Sequence, residues 1–527
     1  MRSPHLPILV LASLLGACAA TPPPSAPTQG NHDWARGAVF YEVFVRSFSD
    51  SDGDGKGDLP GLTAKLDYLN DGDPKTSTDL GVDALWLMPV FQSPSYHGYD
   101  TVDYEKIDDE YGTAEDFQRL LDEAHKRGIR IIVDFVMNHS SAQHPWFVES
   151  ASSPTSPKRD WYVWRADDPG WTQPWGGANH TWHEKNGAFY YGVFWGGMPD
   201  LNFSTPAVRE EMKRLAGLWI SRGVDGFRLD ATRHLFANGP GDLQNDQPET
   251  HVYLKELAEH VRKVNPRAVL VGENWTTTPI IAQYFADLPM SFNFPLAEEI
   301  LHGVQDGEAA GIAGKLDEMQ ELYPPGALDA PFLTNHDQTR IATVLQNDPA
   351  KLKSAAAVLL TLPGAPFLYY GEEIGLQNGP VSSDEHKRTP MPWDASPTGG
   401  FTTGRPWFQL APGSANVAAQ TGDPGSLLSH YRKLIQARKS SPALMKGDLK
   451  LLTSGVKSDP VLAFTRESPG EKVLVLHNLG ADAVTAGPYS IEDPEPVFST
   501  GEIVMMQGKD GWKVSLPAGA SGAWRVR

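Results

Sequence analysis

TAEDFQRLLDEAHKRG at 113–128 runs directly into IRIIVDFVMNH at 129–139. The first stretch has a helical pattern; the second is a short apolar run that ends in polar and charged residues. The pair reads as a helix feeding a strand, and the pattern recurs along the chain. Its other apolar runs are AVFYEVFVRSF (38–48), VDALWLMPV (82–90), VDGFRLD (224–230), AVLVGEN (268–274), MSFNFP (290–295), APFLTNHD (330–337) and APFLYYGEE (365–373). Helical stretches such as ETHVYLKELAEHVRKV (249–264) separate most of them. Strands alternating with helices imply parallel βα units. Eight of them suggest an α/β fold closed into a (β/α)8 TIM barrel. An open doubly wound sheet is the competing arrangement, but no glycine-rich phosphate fingerprint follows the first strand.

The rest of the 527 residues is organised around that barrel, which is expected at 36–139 and 205–446. A chain this long exceeds one ordinary core, so smaller domains should accompany the large one. The connection at 140–204 is abnormally long and holds Trp146, Trp161, Trp164, Trp171, Trp175, Trp182 and Trp195. It reads as an inserted domain after the third strand, with most of these Trp forming its core. After 446 the helical patterns stop, and KLLTSG, VLAFTRE and KVLVLHNL suggest a C-terminal β-sandwich at 447–527. At the other end, Arg2 and the apolar run Leu6–Leu15 have the form of a signal peptide, too short to span a bilayer. LGAC at 15–18 ends in Cys18, the only cysteine, and resembles a bacterial lipoprotein cleavage box covering 1–18. The expectation is export and a lipid anchor on Cys18, with a Pro-rich tether at 19–35. One cysteine permits no internal disulfide. The net charge of −20 repels phosphate backbones and argues against a nucleic-acid partner.

On a barrel the C-terminal strand ends share one face. Asp134 with His139, Asp230, Glu273, and His336 with Asp337 should therefore meet there. Clustered carboxylates repel and raise one another's pKa, so such convergence is hard to explain structurally. Glycoside hydrolysis needs that arrangement: one carboxylate as nucleophile and a protonated acid near it. DFVMNH (134–139), GFRLDATRH (226–234), VGENW (271–275) and FLTNHD (332–337) resemble, in order, the four signature regions of the α-amylase family, and MPDLN (198–202) resembles its fifth. The resemblance implies Asp230 as nucleophile, Glu273 as general acid/base and Asp337 as transition-state stabiliser. It implies that Arg228 holds Asp230 ionised, that His139 and His336 hydrogen-bond the sugar being cleaved, and that Tyr99 stacks beneath it. Fixed carboxylates favour an oxocarbenium-like transition state over the ground state. Charge on Asp230 and Asp337 would keep Glu273 protonated.

DSDGDGKGD (50–58) begins like an EF-hand, but Gly61 stands where the twelfth-position Glu would be. It resembles an Asp-rich Ca²⁺ loop of one branch of the family, which implies Asp50, Asp52, Asp54, Asp58 and the Lys56 carbonyl as ligands. A second Ca²⁺ site is implied at Asn138, Asp200 and the carbonyl of His234. The specificity signals conflict. Arg233-His234 resembles the pair with which α-amylases hold the sugar beyond the cleavage point. Asp100 in HGYD (97–100) and Arg388 in KRTPMPWD (387–394) resemble the ion pair that closes the pocket of exo-acting α-glucosidases. The expectation is a monomeric, endo-acting α-amylase on starch, glycogen or maltooligosaccharides. An exo-acting α-glucosidase, an oligo-1,6-glucosidase and a non-catalytic sugar-binding relative are the alternatives.

Overall fold

Each apolar run supplies one short parallel strand in the computed structural model, which describes residues 33–413, 415–452 and 459–527. The strands are β1 (Phe40–Val43), β2 (Ala84–Leu87), β3 (Arg130–Phe135), β4 (Gly226–Leu229), β5 (Val269–Gly272), β6 (Met290–Phe292), β7 (Leu328–Ala330) and β8 (Phe367–Tyr369). They pair in sequence order, and β1 pairs β8, with Phe40 opposite both Ala84 and Phe367. A parallel bridge from Phe332 to Phe367 joins the β7 side to β8 and closes the (β/α)8 barrel. The runs are apolar throughout because both faces are buried. Phe40, Trp86, Ile132, Val271 and Phe367 fill the interior. The alternate residues Tyr41, Leu85, Val133, Leu270 and Leu368 belong to the core outside it.

Local chemistry fixes these elements. The helix Ala114–Lys126 starts at a capping box, in which Asp116 N–H donates to Thr113 Oγ1 (3.1 Å) and Thr113 N–H donates to Asp116 Oδ2 (3.0 Å). Its buried residues Phe117, Leu120, Leu121 and Ala124 follow the 3, 4, 7 spacing of one helical face. Losing the cap through Thr113→Ala should cost about 1 kcal/mol. Gly226 opens β4 because a Cβ there would lie 2.0 Å from the Val269 carbonyl oxygen of β5. That close approach sets the β4 and β5 ends side by side.

Two expected boundaries move. The seventh strand was expected over 330–337, yet β7 ends at Ala330. Pro331 has no N–H to extend the ladder, so beyond the isolated bridge at Phe332 the FLTNHD segment continues as irregular chain. The tether was expected to reach residue 35, but Asp33–Ala35 forms a 3-10 turn. Trp34 packs on Phe40 (5.8 Å between ring centroids), its indole N–H donates to the Arg267 carbonyl (2.8 Å), and Ala35 is fully buried. Cys18, the signal-like run and the tether up to residue 32 lie outside the described residues, as does 453–455 of KLLTSG. No helix of the described residues is long and apolar enough to cross a membrane.

Within 140–204 lie the helix Pro145–Ser152 and a three-stranded sheet of Trp164–Arg165, Ala188–Tyr191 and Trp182–Lys185. The tryptophans divide. Trp171 and Trp182 meet edge to face at 5.5 Å, and Trp146, Trp161 and Trp164 pack partly buried on the main core. Trp175 and Trp195 are each 53% exposed. The C-terminal domain sets a five-stranded sheet against a three-stranded one, around Leu474, Leu476, Val514 and Trp524. Buried Arg466 ties it to the barrel, donating to the Gly447 carbonyl (2.8 Å) and the Thr361 carbonyl (2.6 Å).

Candidate active site

Strand alternation carries charge into the barrel mouth. Phe40, Ile132, Gly226 and Val271 share the interior face. Two residues further along stand Glu42, Asp134, Arg228 and Glu273, and Asp230 follows Arg228 by the same step. One guanidinium gathers these acids. Arg228 Nη1 donates to Asp134 Oδ1 and Oδ2 (3.0 and 3.1 Å) and to Asp230 Oδ1 (2.5 Å), and Nη2 pairs with Glu273 Oε1 (2.9 Å). Exposure separates the acids by role. The Asp134 side chain is 0% exposed, against 10% for Asp230, 15% for Glu273 and 36% for Asp337. Asp134 is thus sealed beneath, and the other three open towards solvent.

Backbone strain aims a donor at Glu273. Ala231, directly after Asp230, has φ 49° in the left-handed region and donates its N–H to Glu273 Oε2 (2.9 Å). Burial raises the Glu273 carboxyl, and the charges of Asp230 and Asp337 add to the rise against Arg228. Burial is therefore the larger cause, ahead of the neighbouring carboxylates expected from sequence. Asp230 is likewise raised by burial, with Arg228 opposing. Arg228 thus limits that rise instead of abolishing it.

Asp337 behaves in the opposite way. Burial would raise it, but His336, Arg388 and Arg228 outweigh burial and hold it well below the usual carboxylate range. His336 Nε2 lies 3.1 Å from Asp337 Oδ2, and Arg388 Nη2 lies 2.9 Å from Asp337 Oδ1. Arg388 also pairs with Asp384 (2.9 Å). Asp100 instead accepts from Ser93 Oγ (2.9 Å) and from Ser95 Oγ. No ion pair joins Asp100 to Arg388 among the described residues, so the pair that would close an exo-acting pocket is not formed.

Three other expected site residues have partners within the protein. Tyr99 lies in the cluster, with its hydroxyl donating to Asp134 Oδ2 (3.1 Å) and its ring stacked on His336 (5.5 Å). His139 is buried, with Nε2 3.1 Å from the Tyr99 carbonyl and Nδ1 3.3 Å from the Asn138 amide. Both of its ring nitrogens are engaged within the protein, and burial pushes its pKa down to about 4. Arg233 donates through Nε and Nη2 to Asp246 (2.9 and 2.6 Å) and through Nη1 to the Trp275 carbonyl (2.7 Å). Its donors are therefore engaged in fixing the cleft wall.

A cleft of about 550 Å³ is lined by Trp175, Phe194, Ala231, Arg233, His234, Glu273, Trp275 and Asp337. Trp275 is 50% exposed and stacks on Phe294 (4.6 Å, 10°), and Trp175 stacks on Phe194 (5.5 Å, 27°). Both present an indole face backed by a phenyl ring. Sequence reasoning passed over Trp275, although it directly follows VGEN, and Glu42, a lone acid inside an apolar run. Nothing in the sequence singles out Trp175 among seven tryptophans, or Asp246 as the partner of Arg233.

In the acidic loop, single oxygens of Asp50, Asp52 and Asp58 all lie within 4.8 Å of one another. Asp54 is not in that group. Its Oδ1 accepts the Lys56 N–H (2.7 Å), which turns it into the loop's own backbone, and the Lys56 ammonium pairs with Glu110. At the second expected site, Asn138 Nδ2 donates to Asp200 Oδ2 (3.2 Å), and the buried Asn138 Oδ1 has no hydrogen-bond partner. Burial pushes Asp200 up to about 7. The hydrogen bonds of His234 run to the carbonyls of Ala231 (3.0 Å, from its N–H) and Gln244 (3.3 Å, from Nδ1).

A (β/α)8 barrel with three accessible acids at its mouth, two of them bridged by one guanidinium beneath an aromatic cleft, defines the class: a glycoside hydrolase. The family profile described as "Alpha amylase, catalytic domain" matches residues 42–447. The chain belongs to the alpha-amylase family. It is 42% identical to "Alpha-amylase 3" of Dictyoglomus thermophilum over 454 residues, covering 85% of this chain and 86% of that one. It is 34% identical to an oligo-1,6-glucosidase of Halalkalibacterium halodurans, covering 84% of this chain and 90% of that one. The crystal structure of an alpha-amylase from H. orenii superposes with a TM-score of 0.84 at 37% identity, covering 93% of this chain and 100% of that one.

Proposed function

We propose that this chain is an endo-acting, retaining α-amylase that cleaves α-1,4-glucosidic bonds in starch, glycogen or maltooligosaccharides. The observation that carries the reading is the cleft above Glu273 and Asp337. It is unclosed by any Asp100–Arg388 pair and carries two half-exposed, phenyl-backed tryptophans. Such faces suit successive glucose rings of a long chain. In this reading Asp230 attacks the anomeric carbon while Glu273, whose carboxyl burial raises, gives its proton to the departing oxygen. A glycosyl–enzyme ester results, and Glu273 then takes a proton from the water that hydrolyses it. Asp337, held ionised, faces the positive charge that develops at the ring. Asp230 and Glu273 share one guanidinium, which favours the close spacing of a retaining pair, about 5–5.5 Å, over the wider inverting one.

A second reading, exo-acting α-glucosidase, draws on Arg388, which bridges Asp337 and Asp384 while Tyr96 donates to Asp384 (2.8 Å). That web could wall one end of the site. The product profile on soluble starch decides. Mixed short maltooligosaccharides with rapid loss of iodine staining support the α-amylase. Glucose as sole early product with slow loss of staining supports the exo reading.

Calcium belongs to the proposal as a structural ion. Asp50, Asp52 and Asp58 fit it as converging hard oxygen ligands, and the orphaned Asn138 Oδ1 beside Asp200 fits a second ion. We further propose a monomer exported as a bacterial lipoprotein and anchored to a membrane through acylated Cys18.

A further inference from the structure

Glu42 lies on the interior face of β1, and no role assigned so far uses it. It is buried, and its Oε1 lies 2.6 Å from Nδ1 of His336, which is also fully buried. The other ring nitrogen, Nε2, faces the Tyr99 hydroxyl oxygen (2.6 Å) and Asp337 Oδ2 (3.1 Å). Tyr99 gives its own proton to Asp134 Oδ2 (3.1 Å), so towards His336 it acts as an acceptor. Both imidazole nitrogens therefore point at acceptors. A neutral ring carries one N–H and could satisfy only one side; a charged ring satisfies both.

The surroundings agree from every side. Glu42 comes from β1, Trp86 lies edge-on from β2 (5.6 Å), Asp134 is on β3, and Asp230 follows β4. Tyr369 on β8 is the register partner of Glu42, Asp337 is adjacent, and Arg388 reaches His336 at its carbonyl (3.1 Å). The nearby cation Arg228 is engaged by Asp134, Asp230 and Glu273. Burial alone would depress His336, yet Asp337 and Glu42 together lift it to about 9.

We propose that Glu42 is a positioning residue for the hydrolysis proposed above: it keeps His336 charged and turned, so that His336 holds Asp337 ionised and in place. Asp337 is the most exposed of the three acids, and among the described residues its carboxylate pairs with His336 and Arg388. A glutamine at 42 could instead donate its amide N–H to Nδ1, and a neutral His336 would then suffice.

The proposal rests on the glycosidase reading, so one measurement avoids turnover. In ¹⁵N-histidine-labelled full-length protein, with His336→Gln assigning the signal, His336 should show two protonated nitrogens at about pH 7.5. Glu42→Gln should convert it to a neutral ring. In steady-state kinetics, Glu42→Gln should lower kcat roughly 10- to 100-fold with KM changed less than about threefold. The alkaline limb of its pH profile should move acidward by about one unit or more, and Glu42→Asp should recover part of the loss. A neutral His336 in the wild type overturns the proposal, as does a Glu42→Gln enzyme with wild-type kcat and pH profile. Should Glu42→Gln fail to fold, the wild-type spectrum and Glu42→Asp still decide. A charged His336 in a protein that cleaves no α-glucoside would leave the relay standing and remove the glycosidase reading.

Discussion

Replacing Arg228 with Gln removes the cation on which the acid cluster is built. The side chain is 1% exposed and makes contacts of 3.0 and 3.1 Å to Asp134, 2.5 Å to Asp230 and 2.9 Å to Glu273. Charge-assisted bonds are worth about 1.5–3 kcal/mol each, so a simple sum would exceed about 6 kcal/mol. That sum overcounts, because the contacts share one cation and the freed carboxylates can take up protons. Breaking a buried ion pair costs about 3–5 kcal/mol, and this is the loss expected for the barrel. The sign with pH follows from the raised pKa of Asp230. A carboxyl raised in the folded state binds more protons there than in the unfolded chain. The penalty should therefore be least in acid, where Asp230 is protonated in both proteins, and grow as pH rises past the wild-type folded pKa towards the higher one of the variant. Turnover should change too, since the nucleophile must be ionised and its pKa would climb further. We expect kcat/KM to fall by more than about 10³ at neutral pH and to recover in part on the alkaline side. Urea unfolding, followed by domain-resolved probes, together with kcat/KM across pH, measures both effects. Wild-type stability with wild-type kcat/KM at neutral pH would refute the idea that one guanidinium organises the acids.

The cleft tryptophans should act through long substrates. Trp275→Ala and Trp175→Ala should each raise KM for soluble starch by roughly tenfold, from about 1–1.5 kcal/mol of lost ring contact, with unfolding little changed; equal effects on a maltose-sized substrate would argue against an extended groove. Chelation should lower the melting temperature, because an ion bound only by the folded state stabilises it. Joint replacement of Asp50, Asp52 and Asp58 with Asn should remove part of that shift, while Asp54→Asn should not; an unchanged wild-type melting curve would rule out both metal sites. Cys18→Ser should release the protein from the membrane fraction or stall its processing, and an unmodified mature N-terminus beyond residue 18 would exclude the anchor.

Much of this was written into the chain as pattern. Uninterrupted apolar runs capped by acids gave away a sheet buried on both faces, and alternation placed Arg228 and Asp230 on the same side. The details that escaped depend on contacts between distant residues. Glu42 looks like a blemish in a strand until His336 arrives from 294 residues away. Nothing around Arg233 in the sequence names Asp246, at φ 52°, as the partner that takes up its fork. Seven tryptophans have the same composition signal, and only packing separates buried Trp182 from exposed Trp175. The end of β7 was legible in principle, since Pro331 cannot donate to a ladder, but the apolar run around it outweighed that cue.

The anomeric form and length of the first products from soluble starch test the central claim most directly. Proton NMR within the first minutes, before mutarotation, should show α-anomers of mixed maltooligosaccharides, because displacement by Asp230 and then by water inverts the centre twice. Release of β-anomers would contradict the double displacement, and glucose alone would contradict endo attack.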